Sequence, residues 1–338
     1  MSNKFKISII MPIYNVNEYL KRALDSILNQ TMDFNDIQVI MVDDNSSDGS
    51  DIVAREYAKK YFNFFLYRLN ENSGSAGKPR TIGLKHVKSE YVMFLDPDDE
   101  FLPDYCETMY NYISKFDVDM VKCNFINVYK GHEMPNYHFD KSITTKLIKN
   151  TDPPLKYVAI WNGIHKFEFI HKNNIIFPDF FGEDIVFSVN EFLCMDGLLF
   201  INNYFGYKYH DNDDSHAKKP NSDNINGVIN SFILTRDICR QFNREDILSN
   251  VLGQQIKSVF SRIYNNNESI KIRINILRKL YNLEKDIPKL FIDSVILNFV
   301  NILLMKKLFY LSLFSLKLLF KIYKSNKIYK LINLLKFH

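Results

Sequence analysis

The chain has 338 residues, 46% of them hydrophobic, 24% charged and 14% aromatic, a globular composition that excludes disordered, collagenous and low-complexity classes. Its 43 Lys and Arg nearly balance 39 Asp and Glu, and the resulting +4 is too small for a dedicated nucleic-acid binder. Four widely spaced cysteines (Cys106, Cys123, Cys194 and Cys239) without a C-x-x-C give no sign of a disulfide framework or zinc site and fit buried thiols in a reducing compartment.

Residues 6–13 (KISIIMPI) form an apolar run bounded by turn residues, which predicts a buried strand. The residues before it carry no small-residue cleavage site, so the protein is expected in the cytoplasm. Asn15 or Asn17 is expected to cap a helix whose apolar positions include Leu20, Ala23, Leu24 and Ile27. A second strand at 37–42 (IQVIMV) ends in Asp43-Asp44-Asn45-Ser46-Ser47-Asp48-Gly49. A helix follows at about 49–61, then a strand at Phe64–Leu69. The loop 73–80 (SGSAGKPR) enters a helix near 80–87, and a fourth strand, Glu90–Leu95, ends in Asp96-Pro97-Asp98-Asp99. Strands alternating with helices at this spacing predict βαβ units and a mostly parallel sheet.

Further on, Val118–Tyr129 reads as a strand and Glu183–Met195 as a helix. From about residue 224 only helical patterning remains, and the polar stretch DNDDSHAKKPNSDN (211–224) predicts a boundary near 215–225. The expected organisation is an α/β domain over 1–220 followed by an all-helical region over 221–338.

The end of that region is distinctive. From Lys306 to His338 there are eight lysines, no arginine and no acid, so residues 1–305 are net acidic. The longest uncharged stretch, Leu308–Leu316, falls well short of the roughly 20 residues that span a bilayer. Lys317, Lys321 and Lys324 recur at i, i+4 and i+7 on one helical face. The pattern fits an amphipathic helix lying on an anionic membrane surface, each lysine adding about 1 kcal/mol. It equally fits a helix packed on the protein or against a second copy in a homo-oligomer.

In open parallel sheets, ligands bind outside the carboxyl ends of the strands, near the point where strand order reverses. Tyr14 and Asn15 follow the first strand, Asp43 and Asp44 the second, and Asp96, Asp98 and Asp99 the fourth. Five aspartates on one rim repel and raise each other's pKa unless a cation neutralises them. The expected neutraliser is a divalent metal with oxygen ligands that also holds substrate phosphates. Asp48 reads instead as a turn former or cap. Lys78 and Arg80 are candidates to neutralise phosphate oxygens. No G-x-x-x-x-G-K-[ST] or G-x-G-x-x-G is present, and no G-x-S-x-G or cysteine nucleophile motif supports acyl transfer.

The ordered series SIIMPIYN (8–15), YLKRALDSILNQT (19–31), VDDNSSDGS (42–50), NSGSAGKPRTIGL (72–84), YVMFLDPDDEF (91–101), IWNGIHKFEFI (160–170) and FGEDIVF (181–187) resembles the family-2 inverting glycosyltransferases. Within that family it is most similar to bacterial enzymes that build or decorate wall teichoic acid, capsule and other surface glycans. The resemblance implies a GT-A fold, Rossmann-like with a mostly parallel mixed sheet flanked by helices, its nucleotide-sugar half at about 1–100 and its acceptor half at about 101–220. It implies a UDP-sugar donor, a divalent cation (manganese or magnesium) and a hydroxyl acceptor on a polymeric or lipid-linked glycan. Pro12, Tyr14 and Asn15 match the turn beside the nucleotide, Asp44 the uracil contact, and Arg80, with Lys78, the basic group near the diphosphate. Asp96 and Asp98 match the D-x-D motif, Asp98 as metal ligand and Asp96 near the ribose or donor sugar. Asp184 matches the catalytic base with Glu183 supporting it, and Trp161 an aromatic near the acceptor.

Three departures accompany the match. Thr81 stands where the family commonly has Asn, and Gly163 and His165 stand where it has Lys and Tyr. The Y-R-x-R-x-x-S segment common after the E-D pair is here Tyr209-His210-Asp211-Asn212-Asp213-Asp214-Ser215, without either arginine. His210 or His216 then becomes a candidate third metal ligand or diphosphate contact. The implied activity is a hexosyl- or N-acetylhexosaminyl-transferase acting by one inverting displacement, on the inner face of the membrane if the tail binds lipid. The competing readings are a nucleotidyltransferase, which lacks its Gly/Arg-rich loop here, and an inactive scaffold in a polysaccharide assembly complex, against which the intact D-x-D and E-D pairs speak.

Overall fold

The computed structural model describes residues 5–153, 159–212, 222–247 and 269–284, with the single positions Val251, Ile263 and Ser315. The chain divides into two units, Met1–Asp213 and Asp214–His338. In the first unit lie β1 (Phe5–Ile13), β2 (Ile37–Asp43), β3 (Phe64–Arg68), β4 (Ser89–Phe94), β5 (Glu100–Phe101), β6 (Met120–Tyr129), β7 (His132–Asn136), β8 (Thr145–Ile148), β9 (Gly163–Lys166) and β10 (Leu198–His210). They form one mixed sheet in the order β3-β2-β1-β4-β9-β6-β10-β5, with β7 paired to β6 and β8 to β10. The helices are α1 (Asn17–Leu28), α2 (Ser50–Lys60), α3 (Gly77–Lys85), α4 (Tyr105–Lys115), α5 (Phe167–Lys172) and α6 (Glu183–Cys194).

The four strands β3-β2-β1-β4 are parallel, with Ile9 opposite both Val39 and Met93. β1 and β2 are buried almost end to end, as strands covered on both faces must be, which is why they read as unbroken Ile, Val and Met runs. Chain order runs outward from β1 to β3 and then jumps to β4 on the other side of β1. Strand order therefore reverses between the tips of β1 and β4, where a ligand crevice is expected. Beyond β4 the pairing changes: β9 is antiparallel to both β4 and β6, while β6 and β10 are parallel again. Antiparallel strands need only short connections. Between β6 and β7 that connection is Lys130-Gly131, both at positive φ as a two-residue hairpin turn demands.

Two local expectations are corrected. The start of α1 is not capped by Asn15 or Asn17: Val16 is the cap residue and offers no side-chain bond. Instead the Asn17 amide donates to Asp48 at 2.9 Å, and Val16 N donates to Ser50 Oγ at 2.9 Å, so the following loop caps α1 from outside. Asp48 also accepts from Ser50, the turn role expected of it. Pro12 lies inside β1, opposite Val42, and not in the turn after it. Its missing N–H is harmless there because pairing with β4 has already ended at Ile10. α1 itself buries Leu20, Ala23, Leu24 and Ile27, the stripe its periodicity announces.

The described part of the second unit is helical, with α7 (Ser222–Gln241) and α8 (Ile270–Glu284). α7 buries Ile225, Ile229 and Phe232, spaced i, i+4 and i+7, and α8 buries Ile274 and Leu277. Lys279 Nζ of α8 donates to Asn226 of α7 at 2.9 Å. Among the described residues no helix is long and apolar enough to cross a membrane. The lysine-rich tail at 306–338 lies outside them, apart from Ser315.

Candidate active site

The tips of β1, β2 and β4 carry loops that are tied to one another. Asn15, at φ 49°, accepts from the Ser47 amide at 2.9 Å and donates its own N–H to Ser46 Oγ at 3.1 Å, fastening the β1 loop to the β2 loop. Asp43 is buried against Arg68 Nε at 3.2 Å and accepts from the Ser46 amide. Asp44 accepts from the Ser73 amide at 2.9 Å, Ser73 Oγ at 2.9 Å and Asn72 Nδ2 at 3.0 Å. Burial pushes the Asp44 carboxyl up, while the Ser73 bonds and the Lys78 charge pull against it. Asp44 thus secures the loop that leads into α3, and Lys78 stands at the start of that helix.

Arg80 organises the next layer. Its guanidinium donates to Glu183 on α6 and, at 2.7 Å, to Asp96 after β4, so one buried cation joins the D-x-D loop to the E-D pair. The ring of Phe177 lies 5.6 Å beneath it, stacked in turn on Phe187 at 3.9 Å. Thr81 adds a further tie by donating to the Phe177 carbonyl at 3.3 Å. The approach of α3 to the chain before α6 requires glycine at 77, where a Cβ would stand 2.0 Å from the Pro178 carbonyl oxygen. Gly182, at φ 91°, turns the chain into α6 and sets Glu183 and Asp184 in its first turn. A helix N-terminus favours carboxylates there.

The two carboxylates differ. Glu183 is 6% exposed and spent on Arg80, whereas Asp184 is half-buried and accepts from the following amide, Ile185 N, at 3.0 Å. Burial pushes both carboxyls up and Arg80 opposes it. Asp184 is therefore the more exposed of the pair and the one not paired with Arg80.

The D-P-D-D cluster also divides. Asp99, 1% exposed, accepts from Tyr207 OH at 2.7 Å and from the His210 amide at 2.7 Å, so it anchors β10 and is not part of a metal-bearing rim. Burial and its neighbours Asp98 and Asp96 hold its carboxyl well above the usual carboxylate range. With Asp43 likewise engaged by Arg68, the five-aspartate rim reduces to Asp44, Asp96 and Asp98, because an ion pair holds Asp43 and hydrogen bonds from β10 hold Asp99. Asp98 is held by Arg22, which donates to its carbonyl, and by Asn212 Nδ2 at 3.2 Å from its carboxylate. Burial and Asp96 push the Asp98 carboxyl up, the state a cation would relieve. The His210 ring meets Glu100 at 2.9 Å through Nε2, and His216 lies outside the described residues. Asn212, Arg22 and Tyr207 were not singled out by sequence, for their roles depend on contacts across 70 or more residues.

Among the described residues no three His, Cys, Asp or Glu side chains form a ready-made metal cage. Hard cations bound with phosphates commonly take only one or two protein carboxylates, the rest of the shell being substrate oxygens and water. Asp98 with Asp96 meets that requirement.

Trp161 is half-buried, stacked on Tyr207 at 4.4 Å and Tyr209 at 5.6 Å, with Phe125 edge-on at 4.8 Å.

A run of parallel strands within the mixed sheet, with a D-x-D loop at one strand tip and an E-D helix start tied to it through a shared arginine, is the arrangement of a GT-A fold. The profile of Glycosyl transferase family 2 matches residues 8–174. The minor teichoic acid biosynthesis protein GgaB of Bacillus subtilis is 43% identical over 122 residues, 36% of this chain and 13% of that protein. The poly(ribitol-phosphate) beta-N-acetylglucosaminyltransferase TarP of Staphylococcus aureus is 36% identical over 193 residues, 56% of this chain and 57% of that protein. These curated relatives are thus spanned for 13% to 57% of their own length. The crystal structure of S. aureus TarS 1-349 in complex with UDP-GlcNAc shares the fold, with a TM-score of 0.77 at 19% identity over 94% of this chain and 92% of that one.

Proposed function

We propose that the protein is a metal-dependent, inverting glycosyltransferase that moves a sugar from a UDP-sugar to a hydroxyl of a poly(ribitol phosphate)-like surface polymer or lipid-linked glycan. The observation that carries this reading is Arg80, which binds the D-x-D loop and the E-D pair at once, so that a diphosphate seat at the first and a base at the second would share one cleft. The donor class draws support from TarS, which binds UDP-GlcNAc, and the acceptor class from TarP, which acts on poly(ribitol phosphate).

Glycosyl transfer builds positive charge on the sugar and negative charge on the departing diphosphate. Asp98, with Asp96 beside it, would hold a manganese or magnesium ion, whose charge stabilises that leaving group. Lys78 at the start of α3 supplies a further positive charge near the nucleotide, and Tyr14, Asn15 and Asp44 shape its seat. Asp184 takes the proton of the attacking hydroxyl while Glu183 and Arg80 fix the helix start that presents it. One displacement from the face opposite the diphosphate inverts the anomeric centre. Trp161 offers an aromatic surface beside the acceptor.

Thermal unfolding tests the donor half directly. UDP with manganese, at 100 times its Kd, is expected to stabilise the protein by about 2.7 kcal/mol. Chelation, or Asp98→Asn, is expected to remove most of that gain; stabilisation that persists unchanged argues against Asp98 as the ligand. The tail at 306–338 is proposed to hold the enzyme at an anionic membrane surface, where lipid-linked acceptors reside. Co-sedimentation with phosphatidylglycerol vesicles is expected for the full chain and lost on deleting 306–338; equal pelleting of both proteins would reject the role.

A further inference from the structure

Beside the backbone that leads into Trp161 lies a cluster of ionisable groups that the reaction does not use. Lys122 on β6, His165 on β9 and Glu191 on α6 are 4%, 0% and 1% exposed. His165 Nδ1 stands 2.6 Å from Glu191 Oε1, in contact but not aligned as a hydrogen bond. The other ring nitrogen meets the Ile160 carbonyl at 3.2 Å, and Lys122 Nζ donates to the Ala159 carbonyl at 2.6 Å. Burying three ionisable groups is costly, and a cluster of this kind is kept only where its charges and hydrogen bonds answer one another.

What they answer is one stretch of backbone. Four successive carbonyls are each held by a different partner: Ala159 by Lys122, Ile160 by His165, Trp161 by the Tyr105 hydroxyl at 3.2 Å, and Asn162 by the Cys123 amide at 3.0 Å. Gly163 lies opposite Lys122 in the β6–β9 register, and a Cβ there would meet Lys122 Cγ at 2.9 Å. The two departures at Gly163 and His165 are therefore one arrangement: the missing side chain at 163 makes room for Lys122, and the imidazole reaches Glu191. Glu191 in turn sits two helical turns beyond Asp184 on α6, so the same cluster touches the helix that bears the base.

We propose that Lys122, His165 and Glu191 are positioning residues, a buried clamp that fixes segment 159–162, and with it Trp161, against the helix carrying Asp184. The effect on catalysis rests on the transferase reading above; the effect on Trp161 does not. Both neighbours of the imidazole nitrogens are acceptors, so an apolar ring at 165 leaves a carboxylate and a carbonyl without their partner.

Trp161 is the only tryptophan in the chain, so its fluorescence reports the clamp without any substrate. In the full chain, Glu191→Gln and His165→Phe are expected to red-shift the emission and expose Trp161 to acrylamide, with far-UV circular dichroism unchanged. With UDP-GlcNAc as donor and poly(ribitol phosphate) as acceptor, the acceptor KM is expected to rise about tenfold while UDP affinity measured by calorimetry stays within about twofold. Unchanged fluorescence in the folded variants overturns the clamp. So does an equal loss of UDP affinity, turnover and acceptor affinity, which would mean that the cluster merely stabilises the domain. If the unaltered protein transfers no sugar but Trp161 responds as expected, the transferase reading fails at its acceptor and the clamp stands. Should either variant not fold, Lys122→Met, which keeps the stem length, carries the same fluorescence test.

Discussion

Asp184→Asn is expected to lower sugar transfer by about 10²–10⁴-fold, the contribution usual for a general base, while leaving UDP binding intact. The replacement is nearly isosteric, and its amide oxygen can still accept from the Ile185 amide, so the first turn of α6 should keep its shape. What disappears is the proton acceptor. Glu183 cannot take over, because it is buried and already bound to Arg80. Steady-state transfer from a UDP-sugar, paired with UDP calorimetry, separates the two effects. Transfer that survives in Asp184→Asn would remove the base assignment, and a matching loss of UDP affinity would mean that the residue builds the site and does not act in it.

Arg80→Met is expected to cost stability as well as activity. The substitution leaves Glu183 buried without its cation and Asp96 without its partner, a loss of about 3–5 kcal/mol for a broken buried pair. Asp96 is partly exposed and can be rehydrated, so the larger share falls on Glu183. A double variant, Arg80→Met with Glu183→Leu, is expected to recover much of the stability and none of the activity, since removing both charges is far less costly than removing one. The pH dependence has a definite sign. Burial already raises the Glu183 and Asp184 carboxyls and Arg80 opposes it, so without Arg80 both rise further. The acid limb of kcat/KM should therefore move to higher pH in the single variant. A carboxyl raised by folding contributes stability below its unfolded pKa, about 4, and loses it as pH rises through the folded value. The deficit of Arg80→Met should thus be large near neutrality and small in acid, as urea unfolding at two pH values would show. A deficit independent of pH would mean that the loss is one of packing over Phe177.

Much of this architecture was legible in the chain. β1, β2 and β4 are buried on both faces, so their apolar runs are nearly uninterrupted, and α1 shows its stripe because one face alone meets the sheet. The antiparallel half was not. β9 is four residues long and β5 two, too short for any periodicity to register, and their pairing depends on neighbours far away in sequence. The aspartates teach the same lesson from the side of chemistry. Asp98 and Asp99 are adjacent and identical in kind, yet Tyr207 and His210 claim one for the scaffold while the other stays at the crevice. Nor could the start of α1 be read locally, because the carboxylate that serves it belongs to the next loop. Arg80 stood out as a cation beside phosphates; that it would be shared between two carboxylates depends on a contact spanning 103 residues.

The bare backbone at Gly77 sets how closely α3 approaches the start of α6. With Pro178 pressed against it and the Glu183 Cβ only 3.3 Å from where a methyl would project, the distance between α3 and the start of α6 at this point is a van der Waals dimension. Reacting groups set this way lose rate steeply for an ångström of misplacement. A single added carbon at position 77 would act as a shim, leaving each half well formed while holding the reacting groups apart.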